Sequence, residues 1–141
     1  ASPFEDLAGG KRVADTLVSQ GADVILPVAG PAGEGGLQAA QASGGKVVGM
    51  WVDTDGYVSM PSYSSIIATS VGKAMDVAVF EAIKASKEGT FNNEVYVGTL
   101  ENEGAYLAPF HDFDSKVSAE TKAELEQIKA DIISGAIKIE A

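Results

Sequence analysis

Apolar positions in this chain alternate between short continuous runs and longer stretches of helical spacing. Leu7, Val13, Leu17 and Val18 recur at helical intervals and predict a helix from Asp6 to Gln20. Gly9 and Gly10 weaken its first turns, each by about 1 kcal/mol relative to alanine, and Gly21 stands where a helix-ending glycine belongs. The run Val24-Ile25-Leu26-Pro27-Val28 is short, β-branched and bounded by Asp and Gly, which predicts a strand buried on both faces. A Gly-rich loop, Gly30 to Gly36, leads into an Ala-rich helix from Leu37 to Ala42, closed by Gly44 and Gly45. Val47 to Val52 is a second strand run and ends in Asp53-Thr54-Asp55-Gly56. Residues 56–63 read as a loop and Ser65 to Thr69 as a third strand. A long helix is predicted from Val71 to Lys87, with Met75, Val79, Ala82 and Ile83 as its core stripe and Gly89 at its end.

Further on, Glu94 to Gly98 and Ala105 to Ala108 read as strands that the turn Asn102-Glu103-Gly104 joins into a hairpin. The last helix carries Ser118 as N-cap, Leu125, Ile128, Ile132 and Ile133 at helical spacing, and Gly135 at its end. Residues 136–139 look extended, and the chain has neither internal repeats nor a low-complexity tract. Strands and helices that alternate over the first ninety or so positions imply an α/β fold with a parallel sheet and right-handed crossovers. In such sheets ligands sit outside the carboxyl ends of the strands. That rule selects the loop from Ala29 to Gly36 and the turn from Asp53 to Gly56.

Composition narrows the chemistry. The 141 residues amount to one domain, long enough to bury a core without staples. No cysteine is present, so no disulfide, zinc–thiolate site or iron–sulfur cluster can form. Twenty acidic residues stand against ten basic ones, a formal charge of −10, which argues against nucleic acid as a partner. No run of about 20 apolar residues is available to span a membrane. The chain opens at Ala1 without Met and without a signal peptide, as expected of a mature end or a fragment.

Four places carry candidate chemistry. Backbone N–H groups of the Gly30 loop can hold an anion or hydroxyl, although the loop matches neither the P-loop nor the dinucleotide fingerprint, and a tight turn with close helix packing explains it as well. Asp53 and Asp55 can act as acid and base, bind a divalent ion or accept from sugar hydroxyls; a solvated turn is the alternative. Lys73, placed at a helix start, opposes the helix dipole, and misfits of that kind tend to mark function, but taken by itself an exposed surface lysine is the better reading. His111, the one histidine, precedes Asp112 and Asp114 but has no visible nucleophile, so it reads as structural. Phe4, an aromatic before a helix, reads by itself as a staple or core residue.

Taken together, Phe4-Glu5-Asp6, Gln20 to Ile25, Pro27 to Gly33, Val52 to Asp55, Gly98 to Asn102 and the run Ala108 to Val117 resemble the basic membrane protein (BMP) family. These are substrate-binding lipoproteins of ABC importers, similar to purine-nucleoside receptors. The resemblance implies a three-layer parallel-sheet lobe of a periplasmic-binding-protein type I clamshell. Residues 1–141 would then be the C-terminal portion, mostly the second lobe, with an inter-lobe connection within about residues 99–117 that includes or packs against His111.

The same resemblance implies that Phe4 stacks on a nucleobase, that the backbone at Gly30 approaches the ligand, that Asp53 accepts from ribose hydroxyls and that Lys73 donates to the ligand. Where the family often carries Gln after the second Asp, this chain has Gly56. The implied partners are a nucleoside, ABC permease subunits and the N-terminal lobe, which is not in this chain. Self-association of the fragment through its uncovered cleft wall is a further expectation. The full-length protein would be extracytoplasmic and lipid-anchored, and neither a cofactor, a metal nor catalysis is implied. Two other classes compete: a nucleoside hydrolase with a divalent ion at Asp53 and Asp55, and a regulatory or surface-interaction protein on the same fold.

Overall fold

The computed structural model describes residues 2–139. Nine regular elements follow in chain order: α1 (Leu7–Ser19), β1 (Val24–Ile25), α2 (Glu34–Ala42), β2 (Val48–Asp53), α3 (Gly56–Ser59), β3 (Ile67–Lys73), α4 (Met75–Glu88), β4 (Ala105–Leu107) and α5 (Ala119–Ser134). The strands form one sheet in the order β1-β2-β3-β4. β1 pairs with β2, and β2 with β3, in parallel, so the α/β architecture expected from the alternation is the one observed.

The chain divides into two compact units, residues 1–72 with 107–114, and residues 73–106 with 115–141. In the first unit Asp6 caps α1, its Oδ1 accepting from Gly9 N at 2.8 Å. α1 and α2 lie against each other through glycines. A Cβ built on Gly10 would stand 2.1 Å from Ala32 O, and one on Gly35 would stand 2.4 Å from both Leu7 O and Lys11 N. Gly10, a weak helix former by propensity, is therefore required by packing. Two small apolar clusters make the core. One joins Ile25, Ala40 and Val47; the other joins Leu37, Tyr63 and Ile67, with Trp51 and Met60 against it.

Several expectations are corrected. β1 covers only Val24 and Ile25, and it is not buried on both faces: Val24 is exposed on this edge strand, as are Leu26 and Val28 in the segment that follows it. α2 starts earlier than Leu37, after a 3-10 turn at Gly30–Gly33. Residues 56–63 are not a loop but α3 followed by a 3-10 stretch, Pro61–Ile66. β3 begins later than Ser65 and runs on to Lys73, so the fourth helix opens at Met75 instead of Val71. Ile67 and the residues after it continue the ladder against β2 as far as Asp53↔Gly72, and pairing outranks the helical spacing of Val71 and Met75.

In the second unit α4 ends at Gly89 in the left-handed conformation and α5 is capped by Ser118, whose Oγ accepts from Thr121 N at 3.0 Å. Gly135 closes α5 as expected. The predicted α4 core stripe is not buried: Met75, Val79 and Ile83 are all more than half exposed. Glu94 to Gly98 is not a strand and makes no hairpin with β4, and residues 136–139 form no strand. Instead Asn102 folds the intervening segment locally, its Oδ1 accepting from Thr99 N and Gly104 N and its Nδ2 donating to Val97 O.

The α1–α2 contact yields a direct test. Gly35→Ala gains helix propensity of about 1 kcal/mol but forces a methyl into backbone, which costs about 1–3 kcal/mol or more in a tight interface. Urea denaturation of the variant is expected to show net destabilisation. An unchanged or raised midpoint would mean that the helices separate at little cost.

Candidate functional site

The first unit gathers its chemistry at the carboxyl end of β2. Asp53 ends that strand with φ 69°, and Thr54 N donates to Val52 O at 2.8 Å across it. This is a γ-turn of the rare, strained hand. Three described residues other than glycine have positive φ, and Asp53 and His111 are two of them. Backbone strain of this kind persists only where the surroundings over-determine it, and it clusters at functional sites.

What over-determines Asp53 is visible in the next few residues. Thr54 Oγ1 and Ser59 Oγ are hydrogen-bonded at 2.8 Å. Asp55 Oδ1 accepts from Tyr57 N at 3.1 Å and so caps α3. Gly56 N donates to the fully buried Ser70 Oγ at 3.0 Å. A Cβ on Gly56 would lie 2.5 Å from that of Trp51, so this turn as it stands has no room for a side chain at position 56.

Asp53 lines a pocket of about 280 Å3 together with Gly30, Glu34, Trp51, Thr54 and Met60. Gly30 has φ 54°, a conformation natural to glycine, and its Cβ position lies 4.0 Å from that of Phe4. Phe4 sits in a 3-10 turn, Pro3–Glu5, held by Ser2 Oγ, and its ring is 61% exposed beside the Gly30 turn. A core or staple role, the reading of Phe4 taken alone, does not fit that exposure. Glu34 Oε1 accepts from Tyr63 Oη at 2.9 Å. Burial, and after it this bond, raise the Tyr63 phenol above its ordinary pKa. The structure thus brings Phe4, Gly30 and Asp53 into one neighbourhood. Trp51, Glu34 and Met60 join them, and nothing in their spacing singled them out, although Trp51 and Asp53 share parity along β2.

Lys73 is not in the first turn of a helix. It is the last residue of β3 and is exposed, with Ala74 between it and α4. The dipole misfit therefore disappears, and the case for Lys73 rests on its place at a strand's carboxyl end.

Asp53 and Asp55 do not act as a pair. Asp55 is turned to His111, whose Nε2 lies 2.8 Å from Asp55 Oδ2, and its other oxygen is taken by Tyr57 N. The His111 ring stacks on Tyr57 with centroids 4.1 Å apart and 11° between planes. Tyr57 Oη donates to Asp112 Oδ1 at 3.3 Å, and the Asp112 charge raises the Tyr57 phenol's pKa. Among the described residues no group of three or more His, Asp or Glu side chains is disposed to hold a metal ion, and no helix is long and apolar enough to cross a membrane.

A larger groove of about 580 Å3 runs along α1 and β1, lined by Val13, Leu17, Ile25 and Leu26 among others. Its polar groups are already engaged. Arg12 lies 3.7 Å from Asp6, and Thr16 Oγ1 donates to Arg12 O. A solute site needs a few convergent polar groups to fix orientation; the smaller pocket gathers Glu34, Asp53 and Thr54 at the carboxyl end of β2, where parallel sheets receive ligands, and is the better candidate by that placement.

The family of PnrA-like ABC transporter substrate-binding proteins (Bmp) matches residues 1–141. The chain belongs to this family. Among solved structures it is similar to an ABC transporter solute-binding protein from Aeropyrum pernix K1, with 25% identity and a TM-score of 0.81 over 97% of this chain. A second, from Conexibacter woesei DSM 14684, shares 21% identity at a TM-score of 0.69 over 96% of this chain and supports the fold alone. The chain spans 45% and 43% of the length of these two proteins. No curated protein matches. Membership in the Bmp family and these neighbours make the sheet part of a periplasmic-binding-protein fold, as the sequence resemblance implied.

The strain at Asp53 can be measured apart from any ligand. Asp53→Gly and Asp53→Ala both remove the carboxylate, but only alanine bears the left-handed penalty of about 1–2 kcal/mol. Asp53→Gly is expected to be the more stable of the two by about that amount in chemical denaturation. Equal stabilities would mean that the turn relaxes to negative φ at no cost.

Proposed function

We propose that this chain is the part of an ABC-importer solute-binding protein that carries the Phe4–Gly30–Asp53 wall, and that its solute is a nucleoside with a purine base. The carrying observation is Asp53, a carboxylate held in a strained turn at a parallel strand's end, in a pocket with Gly30, which in turn lies next to the exposed Phe4. In this reading Phe4 stacks on the base, and the Gly30 turn lets backbone approach the ligand closely. Asp53 accepts from two ribose hydroxyls, and Lys73 donates a charged hydrogen bond. Stacking gives affinity without choosing a base edge, whereas the carboxylate supplies the preference for a ribose.

The family supports the transport assignment. Delivery to permease subunits, an extracytoplasmic location and a lipid anchor in the full-length protein follow from the same proposal. Binding asks for no reacting group, and Asp55, committed to Tyr57 and His111, is not paired with Asp53 in the way the hydrolase reading asks.

Calorimetry on the full-length protein tests this with guanosine, inosine and adenosine against their 2′- and 3′-deoxy forms. A site that hydrogen-bonds hydroxyls rejects analogues lacking them, because the acceptor is then left unpaired. Asp53→Ala is expected to cost about 2 kcal/mol or more, the range for a hydrogen bond to a charged group. Phe4→Ala is expected to weaken all three nucleosides by about 1–3 kcal/mol with little change in rank, and Lys73→Met to weaken binding with the fold intact. Equal affinity for ribose and deoxyribose forms would remove Asp53 from the sugar site. Free base released during the titration would replace the binding assignment with an enzymatic one.

A further inference from the structure

We propose that His111 is a positioning residue for the solute site: by clasping Asp55 and stacking on Tyr57 it holds the turn that presents Asp53. This deepens the nucleoside reading and, for its ligand arm, rests on it.

The residues involved lie in one unit of the chain. His111 and Asp55 are both about four-fifths buried at the side chain, 22% and 21% exposed. An ionised carboxylate only accepts, so His111 Nε2–H donates to Asp55 Oδ2. The stacked Tyr57 ring prevents the imidazole from swinging away, and Tyr57 is tied in turn to Asp112, the neighbour of His111. The clasp is thus closed twice between the same two segments, residues 55–57 and residues 111–112.

The backbone under His111 is itself in an unusual state, with φ 43°. A non-glycine residue there costs free energy that a looser side-chain arrangement would avoid. Segment 107–114 is firmly seated behind it: Thr69 Oγ1 donates to Ala108 O at 2.6 Å, and Ala108 N donates to Ser70 O at 2.8 Å. His111 therefore reaches Asp55 from a fixed base. Asp55 is two residues from Asp53, and between them Thr54 closes the γ-turn. Remove the clasp, and the turn loses its tie to segment 107–114, while local bonds such as Thr54–Ser59, Gly56–Ser70 and Asp55–Tyr57 remain.

Two variants of the full-length protein separate this role from general stability. Asn tolerates the left-handed region but is too short to replace the Nε2 donor, so His111→Asn opens the clasp with little added backbone strain. Gln places an amide donor near the position of Nε2, so His111→Gln restores the bond to Asp55 without the ring. The first readout needs no ligand. Amide hydrogen exchange at residues 54–59 is expected to speed up about tenfold in His111→Asn while residues 48–52 of β2 keep their protection, and His111→Gln is expected to recover most of the loss. Unchanged protection at 54–59, or an equal loss across β2, overturns the proposal.

The second readout is the affinity ratio between each nucleoside and its 2′,3′-dideoxy form. In His111→Asn the ratio is expected to fall at least tenfold, through loss of ribonucleoside affinity, with dideoxynucleoside affinity changed less than threefold. A merely structural residue would weaken both forms alike, and that result would also overturn the proposal. If the wild-type protein binds none of the nucleosides, the nucleoside reading fails, and the exchange readout alone decides whether His111 holds the turn.

Discussion

Two buried hydroxyls in the middle of β3 set the terms for the rest of the first unit. Thr69 and Ser70 lie inside the protein, Ser70 with no exposed surface, and a buried polar group left unpaired costs about 1–3 kcal/mol. Both are satisfied by segments distant in sequence. Thr69 bonds the carbonyl of Ala108, while Ser70 receives Gly56 N at its hydroxyl and Ala108 N at its carbonyl. The cost of burying these groups is met only when the turn after β2 and the segment returning at Leu107 are both in place. The geometry at Asp53 and the clasp at His111 follow from that condition, since each depends on one of the two segments being anchored.

Much of the parallel arrangement was legible in the sequence because burial of short apolar runs and glycine punctuation are local signals. Gly21, Gly89 and Gly135 all have the positive φ their placement implied, and Ser118 caps the helix it precedes. The carboxyl-end rule selected the Gly30 and Asp53 loops, and both line the same pocket. The rest was illegible for physical reasons. The hydroxyl network of Thr69 and Ser70 gives no periodic signal, so spacing alone starts β3 too early and puts Lys73 in a helix. The bond between Asp55 and His111 spans 56 positions and cannot be read from spacing. Nor does spacing show that Gly10 and Gly35 face backbone; they look like weak points in two helices until the helices are set together.

Hydrophobic periodicity also says which face of a helix is apolar without saying what covers it. In α4 the stripe of Met75, Val79 and Ile83 is where the pattern put it, yet it is open to solvent within this chain. β1 shows the same feature, with Val24, Leu26 and Val28 exposed along a sheet edge. The chain spans less than half the length of the solute-binding proteins it resembles in structure. Apolar surface of this kind therefore carries less information about a ligand than the polar groups do. That is why the smaller pocket, with Glu34, Asp53 and Thr54 at the carboxyl end of β2, outranks the larger groove along α1.

The choice of residue at position 53 gives the strongest argument of this kind. Glycine would adopt φ 69° at no steric cost, and the turn itself asks only for a backbone. Aspartate there costs about 1–2 kcal/mol of conformational free energy in a protein whose whole stability is of order 5–15 kcal/mol. This chain uses glycine at Gly21, Gly30, Gly44, Gly45, Gly89 and Gly135 for the same region of φ, so position 53 keeps a side chain where the backbone asks for none. Contacts of the carboxylate within the protein offset part of that strain. The turn also lies at the carboxyl end of a parallel strand, the place where such sheets receive ligands, and under the proposed function the same carboxylate would be offered to the solute.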